Sequence, residues 1–173
     1  METVTVNQFR DSLREHVEKV LADHEPLKVT RRNGGAFVVV GAEDWEREQE
    51  TLYVLQSRSL MEQIARSAQA HAATAGYSPT EDEIGAIDRF EGDTWGRHED
   101  LRTRDRQLHR NLRRLIQEMQ RGDPGTGTGK PEPLRHGLAG LWPRRPSLKD
   151  RLIYRLDDLA ICIFAVGRHD DDH

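Results

Sequence analysis

Apolar residues along this chain switch between strand-like and helix-like spacing, and the switches mark out short elements. Val4 and Val6 alternate with threonines as in a first strand, and Thr5-Val6-Asn7-Gln8 has the form of a capping box opening a helix. Phe9, Leu13, Val17, Val20 and Leu21 then recur at helical spacing, which predicts one amphipathic helix of about four turns. Leu27 to Thr30 and Ala36 to Val40 are β-rich runs joined by Arg31-Arg32-Asn33-Gly34-Gly35, and Asn-Gly between such runs predicts a hairpin. From Glu43 the pattern returns to helix through Trp45, Leu52, Val54 and Leu55, and a second helical stretch carries Leu60, Met61, Ile64 and Ala68. Apolar content then falls, so residues 72–86 read as a mobile tail or linker.

The second half opens on Ile87-Asp88-Arg89-Phe90-Glu91, a short strand candidate whose charges interrupt the alternation. Leu108, Leu112, Leu115, Ile116 and Met119 sit at i, i+4, i+7, i+8 and i+11 and predict a helix over 105–120, with Arg106, Arg110, Arg113 and Arg114 on its other face. Gly122-Asp123-Pro124-Gly125 stops it. Residues 142–145, 151–156 and 159–166 are strand candidates, with an Asp157-Asp158 turn between the last two. A helical hairpin on a small antiparallel sheet follows for this half, and an α+β class for the chain.

Of the 173 residues, 35% are hydrophobic and 32% are charged, which favours two small cores over one large one. The first ~70 residues bury too little surface to be stable alone, and dimerisation is the natural remedy. The net charge of -4 hides an asymmetry: residues 81–103 hold 3 Lys/Arg against 8 Asp/Glu, whereas 104–155 hold 13 against 5. A basic domain beside an acidic connector suits a polyanion-binding surface, although a merely solvated basic face has the same composition. A lone cysteine, Cys162, lies in an apolar run and reads as a small core residue, and no apolar stretch is long enough to span a bilayer. Both features point to a cytoplasmic protein without a membrane partner.

Two tempting motifs fail. Gly125-Thr126-Gly127-Thr128-Gly129-Lys130 lacks a phosphate loop's first glycine, having Pro124 there, and has Pro131 where Ser or Thr must follow the lysine. His169 and His173 flank three aspartates, with no other histidine or cysteine cluster evident in the sequence to complete a metal site. No metal and no cofactor is expected.

Val4 to Leu13, Pro26-Leu27-Lys28-Val29-Thr30-Arg31-Arg32-Asn33-Gly34 and Glu50-Thr51-Leu52-Tyr53-Val54-Leu55 resemble the antitoxins of the Phd/YefM family over about residues 1–87. The resemblance implies a homodimer whose N-terminal region binds operator DNA and whose C-terminal segment folds onto a toxin. By position, Arg10 and Arg31 match the family's DNA-contacting residues, and such side chains mostly grip phosphates. The resulting division is 1–55 for DNA binding and dimerisation, 56–86 for a toxin-neutralising helical tail and linker, and 87–173 for a toxin domain.

That last domain carries Gly129-Lys130-Pro131-Glu132-Pro133-Leu134, Gly140-Leu141-Trp142-Pro143-Arg144-Arg145 and Arg151-Leu152-Ile153-Tyr154, and over about 90–170 it resembles the YoeB branch of the RelE toxin superfamily. The resemblance implies a microbial ribonuclease-like fold, a ribosome-dependent mRNA endonuclease, and a catalytic set of Glu132, Arg151 and His169. Cleaving RNA without a metal needs a base for the ribose 2′-hydroxyl, an acid for the departing 5′-oxygen and fixed positive charge on the phosphoryl oxygens. Glu132 suits the base, His169 the acid and Arg151 the clamp, while Lys130, Arg135, Arg144 and Arg145 are expected to hold the RNA backbone. The family's usual tyrosine after the histidine is Asp170 here, the serine before the arginine pair is Pro143, and the histidine before Arg151 is Asp150. Two readings follow: a self-neutralised mRNA endonuclease that represses its own operator, with mRNA and the ribosome as partners and a homodimer or higher oligomer as assembly; or a dimeric DNA-binding repressor carrying an inactive, decayed toxin domain. In the first, residues ~56–86 pack over the basic surface containing Arg151, within the chain or across a dimer, and keep the nuclease closed.

Overall fold

Thr5 caps its helix reciprocally, as the sequence suggests, in the computed structural model, which describes residues 1–80, 83, 89–158 and 160–168. The chain divides into two compact units, Met1–Gln49 and Glu50–His173. Residues 50–55, grouped from the sequence with the DNA-binding part, therefore cluster with the C-terminal unit.

The N-terminal unit has β1 (Glu2–Thr5), α1 (Val6–Asp11), α2 (Leu13–Asp23), β2 (Leu27–Thr30), β3 (Ala36–Val39) and the start of α3 (Ala42–Gln56). Its sheet has the order β1-β2-β3, with β1 parallel and β3 antiparallel to β2. The single helix expected from Phe9 to Leu21 is broken at Ser12, whose φ of -124° and ψ of 39° are not helical. The predicted hairpin closes at Gly34 and Gly35, both at positive φ, with the Arg31 N–H donating to the Gly35 carbonyl. Val4, Val20, Leu27 and Val29 form the core, while Leu13, Leu21, Phe37 and Val38 remain about half exposed.

In the C-terminal unit the end of α3 leads into α4 (Arg58–Ala72), followed by β4 (Arg89–Phe90), α5 (Thr94–Arg104), α6 (Arg106–Arg121), β5 (Leu141–Arg144), β6 (Asp150–Asp157) and β7 (Ala160–Arg168). The sheet order is β4-β7-β6-β5, with β4 parallel to β7 and the other pairs antiparallel. The alternation of β6 and β7 supplies two cores. Leu152, Tyr154, Ile161, Ile163 and Val166 pack against Leu108, Leu112, Leu115, Ile116 and Met119 of α6, the stripe expected from its spacing. Ile153, Cys162, Phe164 and Ala165 pack instead with Val54 of α3, Leu60 and Ile64 of α4, and Leu134 and Leu138. The sheet is thus sandwiched, and much of its second layer, Val54, Leu60 and Ile64, comes from residues preceding the linker. Burial, with the Asp157 and Glu91 carboxylates nearby, pushes the Cys162 thiol up to about 12.

Of the strand expected at 87–91, Arg89 and Phe90 form β4 and Glu91 lies past its end, while Ile87 and Asp88 lie outside the described residues. Part of the expected linker is docked: the Tyr77 N–H donates to the Phe90 carbonyl at 2.8 Å, the Phe90 N–H returns the bond at 2.7 Å, and the Tyr77 ring lies 5.0 Å from that of Trp95. Among the described residues no helix is long and apolar enough to cross a membrane.

Candidate active site

Antiparallel register places a row of basic and small residues at one end of the sheet. Leu152 on β6 faces Arg144 on β5, so the adjacent Arg151 and Arg145 stand side by side, and Gly167 on β7 faces Arg151. Outside β5, residues 129–134 run antiparallel to it, held by the Arg145 N–H on the Gly129 carbonyl at 3.1 Å and the Leu134 N–H on the Leu141 carbonyl at 2.9 Å. Glu132 is half-buried on this segment, with β5 between it and the strand that bears Arg151. His169 and the three aspartates behind it lie outside the described residues.

The Arg151 guanidinium is buried and almost fully used. Its Nε donates to Oε1 of Glu50 at 2.5 Å and its Nη2 to Oε2 at 3.2 Å, while Nη1 reaches the carbonyls of Leu148 and Asp150. Arg145 donates to the same Glu50 Oε2 at 2.6 Å. One carboxylate from α3 therefore bridges two arginines, in the planar bidentate geometry by which a guanidinium also grips two phosphoryl oxygens. The Tyr53 ring covers the other side, with the Arg151 Cζ 4.1 Å from its centroid, and the Tyr53 hydroxyl donates to the Lys149 carbonyl at 2.7 Å. Further along α3, Thr51 Oγ1 accepts the Arg135 N–H at 3.1 Å. Asp150, where the toxin pattern has histidine, is buried and accepts from Ser147 Oγ and Arg168 Nε.

α4 adds a second set of contacts. β4 covers the edge of β7 only at Cys162 and Ile163, so the next peptide groups have no strand partner on that side. Gln63 replaces one: its Oε1 accepts the Val166 N–H at 3.0 Å and its Nε2 donates to the Val166 carbonyl at 3.1 Å. Ser67 Oγ donates to the Phe164 carbonyl at 2.7 Å. The Val166 N–H and the Val166 and Phe164 carbonyls are thereby paired.

Arg144 is a correction to the sequence expectation. It is fully buried, and its guanidinium donates to the carbonyls of Pro124, Thr126 and Thr128 and to Glu118 Oε1. A side chain so enclosed organises the 124–128 loop and is not free to hold RNA. The same loop explains why the glycine run is no phosphate cradle: its carbonyls turn toward a cation, whereas phosphate binding needs inward N–H groups. Lys130 adopts a left-handed φ of 49° next to this loop, and Arg135 is half-buried. In the N-terminal unit, Arg10 is exposed and paired with Asp11 at 3.0 Å, and Arg31 is exposed in the hairpin.

Sequence reasoning did not single out Glu50, Tyr53, Gln63 or Ser67 as site residues. A signal was present on α4, where Leu60, Gln63, Ile64 and Ser67 share one face at i, i+3, i+4 and i+7. Polar side chains on an otherwise apolar stripe mark a face that must meet backbone polar groups.

The family model of the Phd_YefM antitoxins of type II toxin-antitoxin systems matches residues 1–73, and that of the YoeB-like toxins of bacterial type II toxin-antitoxin systems matches 90–170. The chain belongs to the type II toxin–antitoxin families, with an antitoxin domain and a toxin domain fused in one polypeptide. More particularly, its C-terminal part is 40% identical over 80 residues to toxin RelK of Mycobacterium tuberculosis, covering 46% of this chain and 93% of that protein. Its N-terminal part is 37% identical over 75 residues to antitoxin RelJ of the same organism, covering 41% and 81%. Among solved structures, a heterotetrameric YoeB-YefM toxin-antitoxin complex from Staphylococcus aureus is similar over 49% of this chain and 99% of that chain, at 26% identity and a TM-score of 0.46.

Proposed function

We propose that this protein is a self-inhibited mRNA endonuclease in which Glu50 occupies the phosphate position of its own active site. The observation that carries this reading is the bidentate Glu50 carboxylate on Arg151, shared with Arg145 and covered by Tyr53. A carboxylate held in that way offers the guanidinium the same two-oxygen ligand that a scissile phosphodiester presents. When α3 lifts, Arg151 clamps the phosphoryl oxygens, Glu132 takes the 2′-hydroxyl proton and His169 protonates the departing 5′-oxygen, with the 2′-oxygen attacking phosphorus and the P–O5′ bond breaking. Lys130, Arg135 and Arg145 hold the RNA backbone on the ribosome, in the cytoplasm. The chemistry needs neither metal nor cofactor.

The N-terminal unit serves as an operator-binding dimer. A core of four buried side chains beside the half-exposed Leu13, Leu21, Phe37 and Val38 supports self-association, and Arg10 and Arg31 are placed on its exposed surface to meet phosphates.

Comparing mRNA cleavage on programmed ribosomes by the full chain and by its Glu50→Ala, Tyr53→Ala double variant tests the proposal. The intact protein is expected to be silent and the double variant active, with Glu132→Gln abolishing the gain. A folded double variant that cleaves nothing leaves only a DNA-binding repressor with an inactive toxin half.

A further inference from the structure

Away from the arginine cluster, the last turn of α4 meets the β6–β7 hairpin in a group of residues for which the nuclease reading has no use. His71 Nε2 lies 3.2 Å from Asp157 Oδ2, and Cys162 Sγ lies 3.7 Å from that same oxygen. One ligand atom from each of the three residues lies within 4.8 Å of the others. A tetrahedral ion with bonds of about 2.0–2.3 Å has ligand edges of roughly 3.3–3.6 Å, so small adjustments bring imidazole, carboxylate and sulfur onto one centre. Asp157 and Cys162 share one hairpin, five residues apart, and His71 joins them only through the docking of α4, which is why spacing gave no hint of a metal site.

The surroundings match what such a centre requires. His71 Nδ1 lies 3.0 Å from Glu91 Oε1, the carboxylate–histidine arrangement that orients a metal-bound imidazole. Glu91 is fully buried and its Oε2 has no hydrogen-bond partner among the described residues. Arg89 Nε lies 3.4 Å from Glu91 Oε1, which leaves Oε2 as the costly buried atom, and a divalent cation behind the imidazole adds further positive charge nearby. Asp157 keeps its second oxygen on Arg155, which fixes the ligand oxygen toward His71 and Cys162. His71 and Asp157 are partly exposed and give an ion a route in from solvent.

We infer that His71, Asp157 and Cys162 form a zinc-binding site that ties α4 to the β6–β7 hairpin, with Glu91 positioning the imidazole. Sulfur with imidazole and one carboxylate selects zinc over magnesium or calcium, which prefer all-oxygen shells. On binding, the thiol proton passes to solvent and sulfur takes the metal in its place. The site stands apart from the nuclease reading, since none of its readouts is activity.

The test uses the full chain with zinc chloride and cobalt chloride. After dialysis against zinc, one equivalent of metal per chain is expected by elemental analysis, with a higher melting temperature than the metal-free protein. Cobalt is expected to give a thiolate-to-cobalt charge-transfer band that disappears in Cys162→Ala and is lost or weakened in His71→Asn. His109→Gln, in the other histidine-containing cluster of the described residues, should leave the band intact. No retained metal and no band in the wild-type protein would overturn the site, as would a band that persists in Cys162→Ala. In that case the cluster is simply a histidine hydrogen-bonded between two carboxylates.

Discussion

Gln63 offers the sharpest separation between a helix that merely covers the sheet and one that completes it. Gln63→Ala removes two hydrogen bonds of 3.0 and 3.1 Å and strands the Val166 N–H and carbonyl in a fully enclosed position. Each orphaned buried group costs about 1–3 kcal/mol. Some relief comes from water entering as α4 loosens, so the net cost of the docked state is about 2–4 kcal/mol, a roughly 30- to 1,000-fold rise in its opening equilibrium. Amide hydrogen exchange at Val166, read by NMR in the full chain, measures that equilibrium directly. Gln63→Glu sharpens the argument, because a carboxylate still accepts from the Val166 N–H but cannot donate to its carbonyl. Unchanged Val166 protection in a folded Gln63→Ala protein would refute the account of α4 as a substitute strand.

Three further expectations follow from the same geometry. Arg144→Met leaves three carbonyls and Glu118 facing an apolar side chain and is expected to cost about 3–5 kcal/mol, seen as a lower urea midpoint with the 124–128 loop losing exchange protection. His98 is held down to about 4 by burial and then by its neighbour His109, so below the unfolded value near 6.5 the unfolded chain takes up the proton first. Its contribution is complete above about pH 6.5 and is lost as the pH falls toward 4, by up to about 3 kcal/mol; urea titrations at pH 7 and 5 should show the loss shrinking in His98→Phe. For the DNA-binding unit, Arg31→Ala is expected to weaken binding to DNA upstream of the coding sequence and to lower the salt-dependence slope by about one, as for a lost phosphate contact.

What could be read in advance was governed by local chemistry. The capping box at Thr5, the Asn33-Gly34 hairpin and the stripe from Leu108 to Met119 each depend on neighbours a few residues away, and each is present in the fold. The break at Ser12 was hidden because Phe9 and Leu13 keep helical spacing across it. Arg144 and Arg145 look interchangeable in sequence, yet one is enclosed by its own loop and the other faces Glu50, because adjacent strand residues point to opposite faces. Glu50 and Gln63 pair with groups about a hundred residues away, at separations of 101 and 103, where no periodicity reaches. Tyr77 belongs to a segment too polar to suggest order, and it docks through backbone pairing that composition does not report.

The order in which the parts leave the ribosome has its own significance. Ser67 precedes Phe164, whose carbonyl it covers, by 97 residues. At synthesis rates of about 5–20 residues per second, α4 is complete some 5–20 seconds before the strand it shields has been made. The nascent chain therefore already holds the hydroxyl that covers the Phe164 carbonyl when β7 emerges, so this edge of the sheet is closed as soon as it forms.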